Sequence, residues 1–237
     1  MTMLIDCHVL TMQGDNAAWR DELRRDLDAE PVRQHWLPGI AGELGRARAA
    51  GLEAGDAPFV SWADPDDRII RGTYRRLLQA LQAQPQAPFA WAGEQRVDDD
   101  LTPIGQPSVW PGGYDQRRHR NHIFGFCHGV VLIRRAALAP AMPLLRRCGN
   151  GAEGILLARL AAIGAPMAPG HQPVHLPIVG RLWRQHPGQY HRAFSPADRA
   201  HGHRALGVDP QYLHGSRQAS APCATCGPPQ SASQEFC

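Results

Sequence analysis

The chain has 237 residues, enough for one sizeable domain, or one domain plus a tail, with a core that needs no disulfide support. Its hydrophobic content of 43% fits a soluble globular protein, and its mild net charge of +3 argues against a dedicated nucleic-acid binder. All 25 Lys/Arg positions are Arg, which excludes a lysine Schiff base and the phosphate-gripping Lys of P-loop enzymes and kinases. No run of 18 apolar residues occurs, so no membrane span is expected. The opening Met1 to Leu10 has no basic start and carries Asp6 and His8, so it reads as a strand and not a leader. The cysteines at 7, 127, 148, 223, 226 and 237 do not form a secreted disulfide framework, and a cytoplasmic location is the expectation.

In chain order, Met3 to Met12 is apolar enough for a buried strand, and Gly14-Asp15-Asn16 follows as a turn and helix start. Trp19, Leu23 and Leu27 recur at four-residue spacing and predict an amphipathic helix ending before Pro31. Val32 to Leu37 reads as a weak strand, and Ile40, Leu44, Ala47 and Gly51 as the next helical stripe. Ala57 to Ala63 is a short apolar run that stops at Asp64-Pro-Asp-Asp67. Thr73 is the expected N-cap of a helix carrying Tyr74, Leu77, Leu78 and Leu81. Phe89 to Ala92 is a strand, Asp98 to Gly113 a long loop, Gly125 to Ile133 a buried strand and Glu153 to Ile163 a helix. This alternation predicts βαβ units and a mostly parallel sheet flanked by helices, an α/β architecture that binds ligands beyond the carboxyl ends of its strands. The domain is expected over residues 1–206. In the remaining 207–237, Ser, Gln, Pro and Ala dominate with little to bury, which predicts disorder.

The carboxylates Asp64, Asp66 and Asp67 lie at such a strand end. Oxygen ligands at i and i+2 on a sharp turn suit a hard divalent cation such as Mg²⁺ or Mn²⁺, and a solvated turn capping the next helix remains the other reading. An EF-hand loop starting at Asp64 fails, because its sixth and twelfth positions hold Ile69 and Arg75. Cys223-Ala-Thr-Cys226 with Cys237 is half a zinc motif in a polar tail, and free thiols are the preferred reading.

Gly45-Arg-Ala-Arg-Ala-Ala-Gly51, a spacer, and Pro58 to Asp67 together resemble inverting glycosyltransferases of family 2, which have the GT-A fold, a Rossmann-like nucleotide-sugar transferase fold. There a Gly-x-x-x-Ala-Arg-Asn-x-Gly helix precedes an apolar strand ending in Asp-x-Asp-Asp. Ala47, Arg48 and Gly51 match, and Ala49 stands in place of the Asn. Downstream, Gly129 to Arg135 is similar to the strand before the family's acidic motif. Ala152-Glu153-Gly154 with Leu157 to Leu160 is similar to Glu-Asp-x-x-Leu-x-x-Arg, with Glu153 read as the first acid and Gly154 in place of the second. Leu182-Trp-Arg-Gln-His186 resembles the family's late aromatic-Arg-x-His stretch. The likeness runs over residues 1 to 195. Two departures are plain: where the family closes its second strand on an acid that helps hold the base, this chain has His35-Trp-Leu-Pro-Gly39, and Gly154 stands where the family has an acid.

The resemblance implies metal-dependent sugar transfer from a nucleoside-diphosphate donor to an unknown acceptor hydroxyl, with inversion. The divalent cation (Mn²⁺ or Mg²⁺) falls to Asp64 and Asp66, donor binding to Arg48, Asp64 and His186, and the general base to Glu153. Each has a plainer reading: a surface ion pair for Arg48, a first-turn helix acid for Glu153, a generic surface residue for His186. Arg117-Arg-His-Arg120 is read as a solvated charged loop, with an acceptor path as the other possibility. The competing function is a non-catalytic relative that keeps the fold as a binding or structural protein. A nucleotidyltransferase-like use of the site lacks a Gly-rich phosphate loop, since Leu10 to Asn16 holds only Gly14.

Overall fold

The structure is a computed structural model that describes residues 4–149, 151–163, 165–168, 170–189 and 196–207. The expectations for the 207–237 tail and for Cys223, Cys226 and Cys237 fall almost wholly outside these residues.

Seven strands form one sheet. They are β1 (Ile5–Thr11), β2 (Val32–Pro38), β3 (Phe59–Ala63), β4 (Arg68–Ile69), β5 (Phe89–Val97), β6 (Val130–Arg134) and β7 (Val174–Arg184), in the order β2-β1-β3-β6-β5-β7-β4. The helices are α1 (Ala17–Asp28), α2 (Leu44–Glu53), α3 (Thr73–Ala83), α4 (Gln116–Asn121), α5 (Met142–Leu145), α6 (Ala152–Leu160) and α7 (Pro196–Ala205). None of them is long and apolar enough to cross a membrane.

Side chains alternate across a strand, so each central strand feeds two cores. Val60 and Trp62 of β3, Phe89 and Trp91 of β5, and Val131 and Ile133 of β6 pack with Leu52 of α2, Leu145 of α5 and Ile155 of α6. The intervening Phe59, Ala63, Ala90, Ala92, Val130 and Leu132 pack on the other face with Leu23 and Leu27 of α1 and Tyr74, Leu77 and Leu81 of α3. Helices cover both faces, and the arrangement is a mixed α/β architecture.

The sheet is less uniform than the alternation of elements suggests. Strand β1 pairs in parallel with β2 and β3, and β5 with β7, while β6 runs antiparallel to β3 and β5, and β4 to β7. A strand buried on both faces shows the same apolar run whichever way it points, so its direction leaves no periodic trace. Strand β6 is also shorter than expected, because Gly125 to Phe126 turn back on His122 before the strand begins.

Local signals held closely elsewhere. Asn16 caps α1, its side chain accepting from the backbone N–H of Ala18 and Trp19. Thr73 does not cap α3 as expected. Gly72 takes that place with φ +86°, and the Thr73 hydroxyl instead donates to the Gly180 carbonyl at 3.2 Å, tying α3 to β7. Ile40 lies ahead of α2 and is exposed.

Candidate functional site

A cleft of about 850 Å³ opens where the carboxyl ends of β1, β3 and β7 meet the start of β6 and the first turn of α6. All five residues singled out from sequence line it: Arg48, Asp64, Asp66, Glu153 and His186. Arg117, Arg118, His119 and Arg120 do not. They sit on α4, where Arg118 stacks 3.7 Å from the Trp110 ring centroid and His119 is buried against the Tyr114 hydroxyl at 3.0 Å.

Arg48 is not a surface ion pair. Its guanidinium is 2% exposed and bridges two cleft acids, Asp64 at 3.0 Å and Glu153. Small residues make that burial possible. A side-chain carbon at Gly51 would strike the His8 imidazole, and one at Gly45 would strike the carbonyls of Leu145 and Cys148. With Gly51 bare, α2 lies close on β1, and with Gly45 bare its first turn lies against the end of α5; Arg48 turns inward over Trp62. Burial, reinforced by the Arg48 charge, pushes His8 well below its ordinary pKa, so its neutral ring can accept from Arg48 Nη1 at 3.2 Å.

The turn after β3 closes with the Asp67 N–H on the Asp64 carbonyl, and its three acids then do different work. Asp67 is buried and structural: it takes Arg181 Nη1 at 2.8 Å and the backbone N–H of Arg184. Asp64 is 38% exposed to the cleft. Burial alone would raise its carboxyl, but Arg48 and Arg181 outweigh that and hold it below the usual range. Asp66 has no such cation. Burial first, and then the charge of Asp64, raise its pKa, and its one strong partner is His186 Nε2 at 2.7 Å. His186 in turn rests on Trp19, centroids 5.1 Å apart.

Asp64, Asp66 and His186 line one cleft, and burial first, then the charge of Asp64, raises the Asp66 carboxyl. Carboxylate oxygens are the donors that a hard divalent cation takes. Among the described residues no three His, Cys, Asp or Glu side chains are arranged to enclose an ion, so oxygens of a bound ligand would have to complete the shell.

Glu153 lies in the first turn of α6, where the helix dipole favours an acid, and its side chain is 29% exposed. The glycine after it has a steric reason. A side-chain carbon at Gly154 would lie 2.8 Å from the Ile123 carbonyl oxygen and 2.9 Å from the Phe124 ring. Counting back from Leu156 and Arg159 along Glu-Asp-x-x-Leu-x-x-Arg starts the pattern at Ala152 and puts Glu153 on its second acid.

Sequence reasoning missed two residues of the cleft wall, His128 and Arg181, and the buried Glu94 that pairs with both. Arg181 stands one residue before the stretch that drew attention, and Glu94 lies past the expected strand Phe89 to Ala92, in a polar Glu-Gln-Arg run that gives no sign of burial.

No protein-family model and no curated protein sequence matches this chain. Solved structures do. Residues 1–349 of S. aureus TarS superpose with a TM-score of 0.60 at 13% identity, over 86% of this chain and 64% of that one. The same fragment in complex with UDP-GlcNAc gives 0.58 at 12%, over 86% and 65%. Its complex with UDP gives 0.60 at 13%, over 86% and 64%. The chain thus spans less than two thirds of these structures, and the likeness establishes a GT-A-like fold.

Proposed function

We propose that the chain transfers a sugar from a nucleoside diphosphate to an acceptor hydroxyl with inversion, using a divalent cation. The observation that carries this reading is Arg48, which ties the strand-end acid Asp64 to the helix acid Glu153 across one cleft of a GT-A-like fold. TarS has been solved with UDP and with UDP-GlcNAc, which supports a nucleotide-sugar ligand for the same fold here.

In this reading Asp64 and Asp66 would hold the cation, with ligand oxygens completing its shell and His186 on the donor side; when bound it would neutralise the charge gathering on the departing diphosphate. Glu153 takes the proton of the acceptor hydroxyl as its oxygen attacks the anomeric carbon, while the bond from that carbon to the diphosphate oxygen breaks. Arg48 sets the distance between the two acids by bonding both. With no acid at the end of β2, the base would rest on the apolar floor near Met12, Ile40 and Leu44, which line that side of the cleft.

The test is a thermal-shift screen of UDP-, GDP- and dTDP-sugars with and without Mn²⁺. A donor at about 100 times its Kd adds about 2.7 kcal/mol, which raises the Tm by roughly 5–10 °C for a chain of this size. Cation-dependent binding followed by release of nucleoside diphosphate supports the reading. Binding without turnover against any acceptor would favour the non-catalytic relative, and no cation-dependent shift would refute it.

A further inference from the structure

The arginines are matched unevenly along the chain. Residues 1–115 carry 11 of them against 18 Asp and Glu, whereas residues 116–207 carry 13 against two acids, Glu153 and Asp198. The fold gathers the helices of that second stretch on one face of the sheet. Gln116, at the start of α4, donates to the carbonyls of Ala162 and Ala165 beyond α6, at 2.9 and 2.8 Å. A side-chain carbon at Gly202 of α7 would strike the Phe124 ring and Ile155 of α6. Ile123 after α4, Leu145 of α5 and Ile155 share one core, and Leu206 after α7 packs against it.

The acids on this face already have partners. Arg48 holds Glu153, Arg46 holds Glu43 at 2.9 Å, Arg146 holds Glu53, and Asp115 caps α4 by accepting from the Arg118 N–H at 3.0 Å. Arg117 and Arg120 of α4, Arg147 after α5, Arg159 of α6 and Arg204 of α7 are exposed and make no ion pair among the described residues. Half-buried apolar side chains stand next to them in the chain: Phe124, Leu144, Leu160 and Leu206. The opposite face differs. Arg75 and Arg76 of α3 are exposed there too, but α1 on the same face carries Asp21, Glu22, Asp26 and Asp28.

Five guanidinium groups without a counter-charge in the fold give this face a positive field. One small anion cannot reach groups carried by four helices, whereas an extended negative surface can meet them all. A polyanion in water gains nothing from the apolar side chains between them. The headgroup layer of a bilayer takes up both the cations and the apolar groups. We propose that the face built by α4, α5, α6 and α7 docks the protein on an anionic phospholipid surface. The attachment is peripheral, since no helix of the described residues is long and apolar enough to cross a membrane. Phe124 belongs both to this face and to the cleft lining, so docking sets the cleft beside the headgroups.

The test is co-sedimentation of the full chain with vesicles of phosphatidylcholine alone and with about 30% phosphatidylserine, at about 0.1 M and about 0.5 M salt. Wild type should bind the anionic vesicles at low salt, leave the neutral ones, and be released as salt shortens the Debye length. An arginine near such a surface strengthens binding about fivefold, so Arg120→Gln with Arg159→Gln should weaken it roughly 25-fold. Arg75→Gln with Arg76→Gln removes the same charge from the opposite face and should cost no more than about threefold. All four side chains are exposed, so both double variants should fold, and circular dichroism checks that they do. A wild type that ignores the anionic vesicles overturns the assignment. Equal losses in the two double variants overturn it too, because net charge and not this face would then be the cause. Binding undiminished at high salt does the same. So does arginine-dependent binding to a single-stranded oligonucleotide without binding to vesicles, which would make the partner a nucleic acid. Each of these outcomes leaves the sugar-transfer reading standing.

Discussion

Replacing Arg48 by Met keeps most of the side chain's length and removes its charge. The guanidinium is 2% exposed and serves Asp64 at 3.0 Å, Glu153, and His8 Nε2 at 3.2 Å. Stripping one partner from a fully buried ion pair costs about 3–5 kcal/mol, because the other charge is left without compensation. Here the orphaned acids are 38% and 29% exposed, so water screens part of the penalty, while Met is spared the cost of burying a cation. A loss of about 2 kcal/mol is the balance we expect. With a urea m-value of about 2.5 kcal/mol/M, the unfolding midpoint should fall by roughly 0.8 M. The diagnostic is a double-mutant cycle. Glu153→Gln removes one of the two stranded charges, so Arg48→Met with Glu153→Gln should cost about 1 kcal/mol less than the two singles added. Additivity within about 0.4 kcal/mol would mean that Arg48 and Glu153 do not work as a pair, and would remove the observation on which the functional reading rests.

Asp66→Asn should weaken Mn²⁺-dependent nucleotide binding several-fold, and calorimetry showing unchanged affinity would take the cation away from this turn. Glu153→Gln should leave donor affinity intact and lower transfer by roughly 10²–10⁴-fold; unchanged turnover removes it as the base. Glu94, held at about 2 against an ordinary 4.5, adds stability that is complete above about pH 5 and is lost as pH falls toward 2. That shift corresponds to about 3 kcal/mol, so the acid limb of an unfolding profile should flatten in Glu94→Gln; an unaltered limb would show that Glu94 is not ionised in the fold. Gly154→Asp forces a side-chain carbon against Ile123 and Phe124 and should cost roughly 1–3 kcal/mol without raising activity. A stable, more active variant would show that the second acid belongs at 154.

Local patterns pointed to residues that the structure places around one cleft. Asp64 and Asp66 follow a short apolar run that stops at a turn, and Leu44, Ala47 and Gly51 mark a helical stripe ahead of it. Glu153 at a helix start completes the set. What the motif could not show is that Arg48 spends its donors on Asp64 and Glu153, residues 16 and 105 positions away, and not on solvent. The expected cap at Thr73 failed for a similar reason, since a carbonyl 107 residues on, at Gly180, competes for its hydroxyl.

Periodicity and turn chemistry are properties of a few neighbouring residues. By themselves they determined α1, α2, α3 and α6, the positions of β1, β2, β3, β5 and β6, and the acidic turn at the end of β3; α4, read as a charged loop, and α5, α7, β4 and β7 were not legible. Strand direction and strand order are set by the packing of whole elements, and a strand apolar on both faces carries no mark of either. Only the tertiary structure decided that β6 runs antiparallel between β3 and β5, and that β7 lies beside β5. That order puts the buried Glu94 between His128 and Arg181, partners 34 and 87 residues distant, both of which line the cleft. The pairing of a buried charge is a long-range electrostatic requirement: the tertiary structure buries Glu94, and the order of the strands selects the partners it meets.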